Sequence, residues 1–266
     1  MNTERLFEKS HLTEQEIKTL LKSPKPFVSK SVDISGKRIK YGVISDSHIG
    51  HKCYDERVMD IAAHVFRREK VDFVLHGGDI CEGHYESRRQ GSIFELNIIG
   101  GDNQVEKAVS ELEKITCPIY AITGNHCGNT FMKMSGFDIG VRLQERLKNF
   151  HYMGQQEGSI RLKSGQNILL SHPDGGTAYA ISYKVQKIVE ALEGGTKPAI
   201  MHVGHFHKAE YLFYRNIHVF QNACLERQTP FMRNNHIAAM VGFWTVDLTI
   251  GKRGIEIIAP KFYPFY

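Results

Sequence analysis

The sequence predicts an α/β fold of the α+β kind, two packed mixed β-sheets flanked by helices. Three observations predict it. Between residues 38 and 123, apolar runs of strand length alternate with amphipathic stretches, the rhythm of parallel strands joined by right-handed helical crossovers. Past residue 150 the rhythm changes to short strands separated by turns, which calls for a second sheet rather than one large one. The chain has 266 residues, 41% hydrophobic and 24% charged, enough for one large core.

Residues 1–30 read as an N-terminal helical arm. Thr13-Glu14-Gln15-Glu16 has the form of a capping box, in which a hydroxyl and a carboxylate satisfy the first free amides of a helix. Ile17, Leu20 and Leu21 share one face, and Ser23-Pro24-Lys25-Pro26 ends the helix because proline has no N–H to give. A packing arm accounts for this segment better than a fragment of a helical DNA-binding unit, since no second helix follows to complete one. Residues 31–266 then form one domain. A hairpin is expected around Ser35-Gly36-Lys37, and strand 38–45 runs into Asp46-Ser47-His48. A helix over 53–70 would bury Val58, Ile61, Ala62 and Val65.

Strand 71–76 leads into the turn Gly77-Gly78-Asp79-Ile80-Cys81-Glu82-Gly83, where glycines permit a sharp turn and a close approach. A helix over 94–114 precedes strand 118–123, which ends at Gly124-Asn125-His126, and another helix covers 138–149. Strands 156–162 and 166–171 pair as a hairpin ending in His172-Pro173, with a turn at Asp174-Gly175-Gly176. Helix 178–192 and strand 198–203 lead to Gly204-His205-Phe206-His207. Strands 209–214, 217–221, 237–250 and 254–259 close the domain.

Composition narrows the function classes. A net charge of +5 and a pI near 8.8 suit an anionic substrate. No apolar run reaches membrane-spanning length and Met1-Asn2-Thr3-Glu4-Arg5 does not open a signal peptide, so a cytoplasmic protein without a membrane partner is expected. Five cysteines without a CxxC pair read as reduced thiols, with Cys81 and Cys127 filling space. The sequence has no G-x-S-x-G, Walker loop or dinucleotide glycine fingerprint.

The chemistry gathers at five predicted strand ends: Asp46/His48, Asp79, Asn125/His126, His172 and His205/His207. Residues i and i+2 of an extended segment face the same way, so two of these ends can each aim a pair of ligands at one place. Parallel topology brings the carboxyl ends of strands to a common rim. Carboxylate, amide oxygen and imidazole together suit Mn, Fe or Zn better than a thiolate-bound structural zinc. Asp79 is the natural bridge between two cations, which clamp the attacking and leaving oxygens of a phosphoryl displacement. A lone histidine in a loop is ordinarily a satisfied polar group; five such ends in succession are not explained that way.

Asp46-x-His48, Gly78-Asp79-x-x-Glu82, Gly124-Asn125-His126, His172 and Gly204-His205-x-His207 resemble, in order, the five motifs of the calcineurin-like metallophosphoesterase superfamily, across residues 40–207. The resemblance implies a four-layer αββα sandwich and a catalytic domain over 31–266. It implies two divalent metal ions, Mn foremost, with Fe, Zn, Ni or Mg as alternatives. One would take Asp46, His48, Asp79 and His207; the other Asp79, Asn125, His172 and His205. A metal-bridging hydroxide would attack phosphorus, with Asp79 as the essential bridge and His126 over the phosphate as general acid or charge stabiliser. Many family members carry Asp or Glu after the Asn-His pair; here it is Cys127, so a carboxylate for His126 must come from elsewhere. The Ser/Thr protein phosphatases carry Asp-Arg-Gly where this chain has Glu82-Gly83, which turns the reading away from a phosphoprotein substrate.

Three features lean towards nucleic acid: His84 to Gln90 with Arg88 and Arg89, Arg227 and Arg233 flanking Phe231, and the aromatic tail from Phe262 to Tyr266. Aromatics beside phosphate-binding cations grip single strands. Asn125, His84 and Arg88 are the expected substrate contacts. Packing is the simpler role for the tail. The remaining histidines, His51, His64, His76, His151, His202 and His218, are assigned to core or surface. The expectation is a phosphodiesterase of the nuclease type, similar in pattern to the DNA-repair branch of the superfamily. The alternatives are a small-molecule phosphatase or cyclic-nucleotide phosphodiesterase, and a non-catalytic metal-bearing subunit of a DNA-processing complex. A homodimer is also compatible with the resemblance.

Overall fold

A computed structural model describes residues 31–84, 93–193, 195 and 197–266. The N-terminal arm, and Arg88 and Arg89, lie outside the described residues. Twelve strands are arranged in two six-stranded sheets. In the first sheet, β2 (Arg38–Ile44), β3 (Phe73–Gly77), β4 (Ile119–Ile122) and β5 (Phe150–Gly154) run parallel. β11 (Val241–Gly251) and β12 (Gly254–Phe265) extend that sheet antiparallel beyond β2. The second sheet has the order β1 (Ser31–Ile34), β6 (Glu157–Leu162), β7 (Asn167–Ser171), β8 (Ile200–Val203), β10 (Ile217–Gln221) and β9 (Glu210–Tyr214).

Alternation along the strands sorts their side chains into separate cores. Tyr41, Val43, Phe73, Leu75, Trp244 and Val246 face Ile160, Ile168, Leu170, Ile200 and Phe220 between the sheets. The opposite face, with Ile44, Val74, Ile119 and Phe243, is covered by three helices: α1 (Glu56–Glu69), α2 (Gly101–Leu112) and, after α3 (Gly124–Ser135), α4 (Ile139–Arg146). On the far side of the second sheet, α5 (Tyr183–Ala191) sets Val185 and Val189 against Met201, Val203 and Val219. The order is helix, sheet, sheet, helix, as the resemblance implies. Among the described residues, no helix is long and apolar enough to cross a membrane.

α1 illustrates how local chemistry sets an element. Asp55 caps it by accepting from Arg57 N, and Lys70 closes it in the left-handed conformation. Its buried face is Val58, Met59, Ala62, Val65 and Phe66; Ile61, expected inward, is 42% exposed.

Several expectations need correction. Residues 31–34 do not fold back on β2; β1 pairs in parallel with β6 in the other sheet, so 35–37 is a crossing between layers rather than a hairpin. The helix placed over 94–114 starts at Gly101, after a 3-10 turn at Ile93–Glu95 and the left-handed Gly100. α3 and β5 were not anticipated, nor was α6 (Pro230–Asn234), capped by Thr229. The strand placed over 237–250 starts at Val241, and β12 runs on to Phe265. Two of the tail aromatics therefore pack, Tyr263 stacking on Phe243 at 4.8 Å and Phe262 lying 4.7 Å from Trp244, while Tyr266 is fully exposed.

Candidate metal centre

Five segments following β2, β3, β4, β7 and β8 converge on one rim, so both sheets contribute. Their backbone is not extended, as the i, i+2 argument supposed. Asp46, His48, Asp79, His205 and His207 all have left-handed φ, between 49° and 78°. Asp and His tolerate this region better than most residues, yet a left-handed residue still costs about 1 kcal/mol. Five together approach the net stability of a small domain. Interstrand amide bonds impose the bends: Asp46 N donates to Gly78 O (2.9 Å), His48 N to Asp79 O (3.0 Å) and Asp79 N to Thr123 O (2.8 Å). Two glycines are sterically required. A Cβ on Gly78 would lie 2.3 Å from His172 Nδ1, and one on Gly124 2.4 Å from Asp79 Oδ1.

Asp79 is the centre of the arrangement. Its Oδ1 accepts from the amide of His126 (2.7 Å), in the first turn of α3. That leaves Oδ2, which lies 3.0 Å from His172 Nε2 and 4.0 Å from His48 Nε2. On one side, His48 Nε2 is 3.1 Å from His207 Nε2, which is 3.4 Å from Asp46 Oδ1. Asp46 Oδ1 also accepts from His205 N (2.9 Å). On the other side, Asn125 Oδ1 lies 3.0 Å from His172 Nε2 and 2.9 Å from His205 Nδ1.

The outer nitrogens fix which atoms face inward. His48 Nδ1 donates to Glu82 Oε2 (2.6 Å), His172 Nδ1 to Gly77 O (2.8 Å) and His205 Nε2 to Gly175 O. When neutral, rings so held present His48 Nε2, His172 Nε2 and His205 Nδ1 as lone pairs. They meet carboxylate and amide oxygens that are also acceptors. Acceptors at hydrogen-bonding distance from one another need a cation or a proton between them, and this donor set fits divalent metal ions.

Protonation equilibria follow the same charges. Burial pushes the Asp46 carboxyl up, but His207 outweighs it and leaves the group at about 2. Burial likewise opposes ionisation of Asp79 and Glu82, while His172 and His126 hold the former, and His126 and His48 the latter, well below the usual carboxylate range. Burial disfavours a charged His126, yet Glu82 and Asp79 raise it to about 10. Burial lowers His205. Burial pushes the thiols of Cys81 and Cys127 up, consistent with space filling.

A cavity of about 390 Å³ opens above these groups. His48, Asp79, Asn125, His126, His205 and His207 reach its wall, and Asp46 and His172 are fully buried beneath. The turn at Asp174-Gly175-Gly176 lines it, and so do Thr229, Phe231, Met232 and Ile237. His84 is half-buried and does not reach the wall. Arg227 points to Asp55, its Nε 3.6 Å from Oδ2, and Arg233 is exposed. The carboxylate for His126 is Glu82, whose Oε2 lies 3.3 Å from Nδ1; with Glu82 5% exposed, it is not placed to read a nucleotide.

Sequence reasoning missed His51, Glu95 and Glu226 on the wall. His51 lies only three residues beyond His48, a proximity that could have singled it out; nothing local distinguishes Glu226.

The fold and the site together define an α/β sandwich with candidate metal-binding groups at the strand ends of two sheets. The chain belongs to the calcineurin-like phosphoesterase superfamily, whose domain model matches residues 39–223. It is 22% identical over 264 residues to the DNA polymerase II small subunit of Halobacterium salinarum, covering 84% of this chain and 52% of that protein. The chain thus spans about half the length of the curated relatives it matches. Among solved structures, a novel archaeal phosphodiesterase is 14% identical with a TM-score of 0.50, covering 85% of this chain and 100% of that chain. YfcE, a phosphoesterase from E. coli, is 15% identical with a TM-score of 0.47, covering 83% and 98%. At this identity the likeness to the archaeal phosphodiesterase concerns the fold alone.

Proposed function

We propose that this chain is a divalent-metal-dependent phosphodiesterase acting on nucleic acid, with Asp46, His48, Asp79 and His207 holding one ion and Asp79, Asn125, His172 and His205 the other. The observation that carries the reading is Asp79 Oδ2, lying between His172 Nε2 at 3.0 Å and His48 Nε2 at 4.0 Å while Oδ1 is occupied by an amide. Such an oxygen could be shared by two ions. When bound, the ions supply an activated water and neutralise the phosphate oxygens. Manganese suits the mixed oxygen and imidazole donors.

The chain's own residues do the rest. His126 Nδ1 donates to the backbone carbonyl of Glu82 (3.0 Å), and the Glu82 carboxylate 3.3 Å away keeps a proton on the ring, which meets His48 with centroids 4.5 Å apart. Divalent charge bound nearby would lower the high proton affinity of His126. The ring can then give a proton to the leaving oxygen or stabilise its charge. The second wall, Phe231, Met232 and Ile237, is apolar and suits the face of a base. Similarity to the polymerase small subunit supports a nucleic-acid substrate.

One observation favours a second reading, a small-molecule phosphodiester. Among the described lining residues there is no Lys or Arg, while Glu82, Glu95, Asp174 and Glu226 are acidic, which suits a compact ester with one phosphate better than a polyanion. A substrate panel with Mn²⁺ separates the two: single- and double-stranded DNA, RNA, cyclic nucleotides, a bis-aryl diester and a monoester. The proposal expects cleavage of a nucleic acid and of the aryl diester. Turnover of the monoester alone contradicts it, turnover of cyclic nucleotides alone selects the second reading, and no turnover at all favours a binding subunit.

A further inference from the structure

Of the carboxylates that line the cavity outside the five motifs, Glu95, Asp174 and Glu226, only Glu226 is buried. Glu226 follows β10 in a segment tied to the loop after β2. Leu225 N donates to Asp46 O (3.1 Å), Asp55 N to Leu225 O (2.9 Å) and Arg227 N to Cys53 O (2.9 Å). These bonds clamp residues 225–227 along residues 46–55, so the position of Glu226 beside His48 is set by backbone. Its side chain is 2% exposed.

One oxygen of this carboxylate lacks the donor that such burial demands. Oε1 lies 3.0 Å from His51 Nδ1 but receives no hydrogen bond there, because that nitrogen already accepts from the amide of Cys53 (3.0 Å). Oε2 lies 4.0 Å from His48 Nε2, the same separation as Asp79 Oδ2 from that atom. With Nδ1 of His48 held by Glu82, Nε2 offers a lone pair towards both oxygens. A buried carboxylate with one oxygen left without a donor, set beside the His51 ring and facing the lone pair of His48, is stabilised by a cation between it and His48. Two donors bound to one ion at about 2.1 Å lie no more than about 4.2 Å apart, so Glu226 and His48 can share an ion where they stand.

We propose that Glu226 is an additional ligand of the ion held by Asp46, His48, Asp79 and His207, and that it biases this position towards Mn²⁺ over Zn²⁺. The bias follows from donor chemistry. An added carboxylate hardens the site and raises the number of ligands above the four that zinc ordinarily takes, while oxygen donors suit manganese. The inference rests on the two-ion reading above.

The test is Mn²⁺ binding by calorimetry and by the electron paramagnetic resonance of free Mn²⁺, on the full chain stripped of metal, with Zn²⁺ competition. Wild type is expected to bind two Mn²⁺. Glu226→Gln should keep two sites but weaken one by about 10–100-fold, and move that site's preference towards Zn²⁺. Two Mn²⁺ bound by Glu226→Gln with wild-type affinities would overturn the assignment while leaving the two-ion reading intact. Fewer than two Mn²⁺ on the wild type would overturn that reading, and the inference with it. Should Glu226→Gln fail to fold, Glu226→Asp withdraws the carboxylate by one methylene and keeps its charge. It should weaken the same site with an unchanged metal-free melting temperature, and unaltered binding would again overturn the assignment.

Discussion

The Glu82 carboxylate accepts from His48 Nδ1 at 2.6 Å and lies 3.3 Å from His126 Nδ1, which donates to the Glu82 backbone carbonyl at 3.0 Å, so the carboxylate acts on His126 through its charge. Its negative charge is among the causes that raise His126. A protonated acid loses activity as pH rises through its pKa. Removing the charge stabilises the neutral ring, lowers that pKa and moves the basic limb of kcat to lower pH. Glu82→Gln should therefore shift the limb down by on the order of one unit and lower kcat about 10–100-fold. A pH–rate profile with a bis-aryl diester reads both, and an unmoved limb would show that Glu82 does not tune His126. The motif spacing already pointed to Glu82, but not its role, because residues 82 and 126 meet only when the β3 turn and the start of α3 are brought together.

α3 is where the element scale decides the site. Its first turn delivers the His126 amide to Asp79 and carries Asn125 to the second cluster. Gly124 opens it with φ 74°, and the space for a Cβ is taken by Asp79 Oδ1. Gly136, which closes the same helix with φ 68°, has nothing within 4 Å of a Cβ. The two glycines make a matched pair. Gly124→Ala and Gly136→Ala should each lose about 1 kcal/mol for the left-handed backbone, but only Gly124→Ala should lose Mn²⁺ affinity, by tenfold or more. Equal Mn²⁺ affinities in the two variants would mean that the close approach of Gly124 to Asp79 is not needed.

The sequence concealed α3 because Gly124-Asn125-His126-Cys127-Gly128-Asn129-Thr130 is made of weak helix formers, and tertiary contacts override that preference. The parallel βαβ units were legible because buried strands and amphipathic helices leave strong periodic signals. The site residues were legible as motifs, but not the left-handed backbone that aims them, which interstrand hydrogen bonds impose.

At the scale of the whole molecule, the two sheets meet so that each supplies part of one centre: Asp46, His48, Asp79 and Asn125 follow strands of the first sheet, His172, His205 and His207 strands of the second. The packing between the sheets therefore sets the distance between the two clusters. Assignment of β1 to the second sheet could not be read in advance, because a four-residue strand carries no signal for its partner.

The same convergence buries Asp46, Asp79, Glu82 and Glu226 at 5% exposure or less. Buried negative charge on this scale calls for compensating cations. Divalent ions should accordingly stabilise the whole fold, by about 2.7 kcal/mol for each site at a hundredfold excess over Kd.

A titration of the metal-stripped chain with Mn²⁺, followed by calorimetry and by melting temperature, tests the central claim most directly, with Asp79→Asn alongside. The account predicts two ions per wild-type chain, a rise in melting temperature with Mn²⁺, and weakened binding of both ions in Asp79→Asn. A wild type that binds one ion or none, or an Asp79→Asn variant that holds two ions as tightly as wild type, would contradict it.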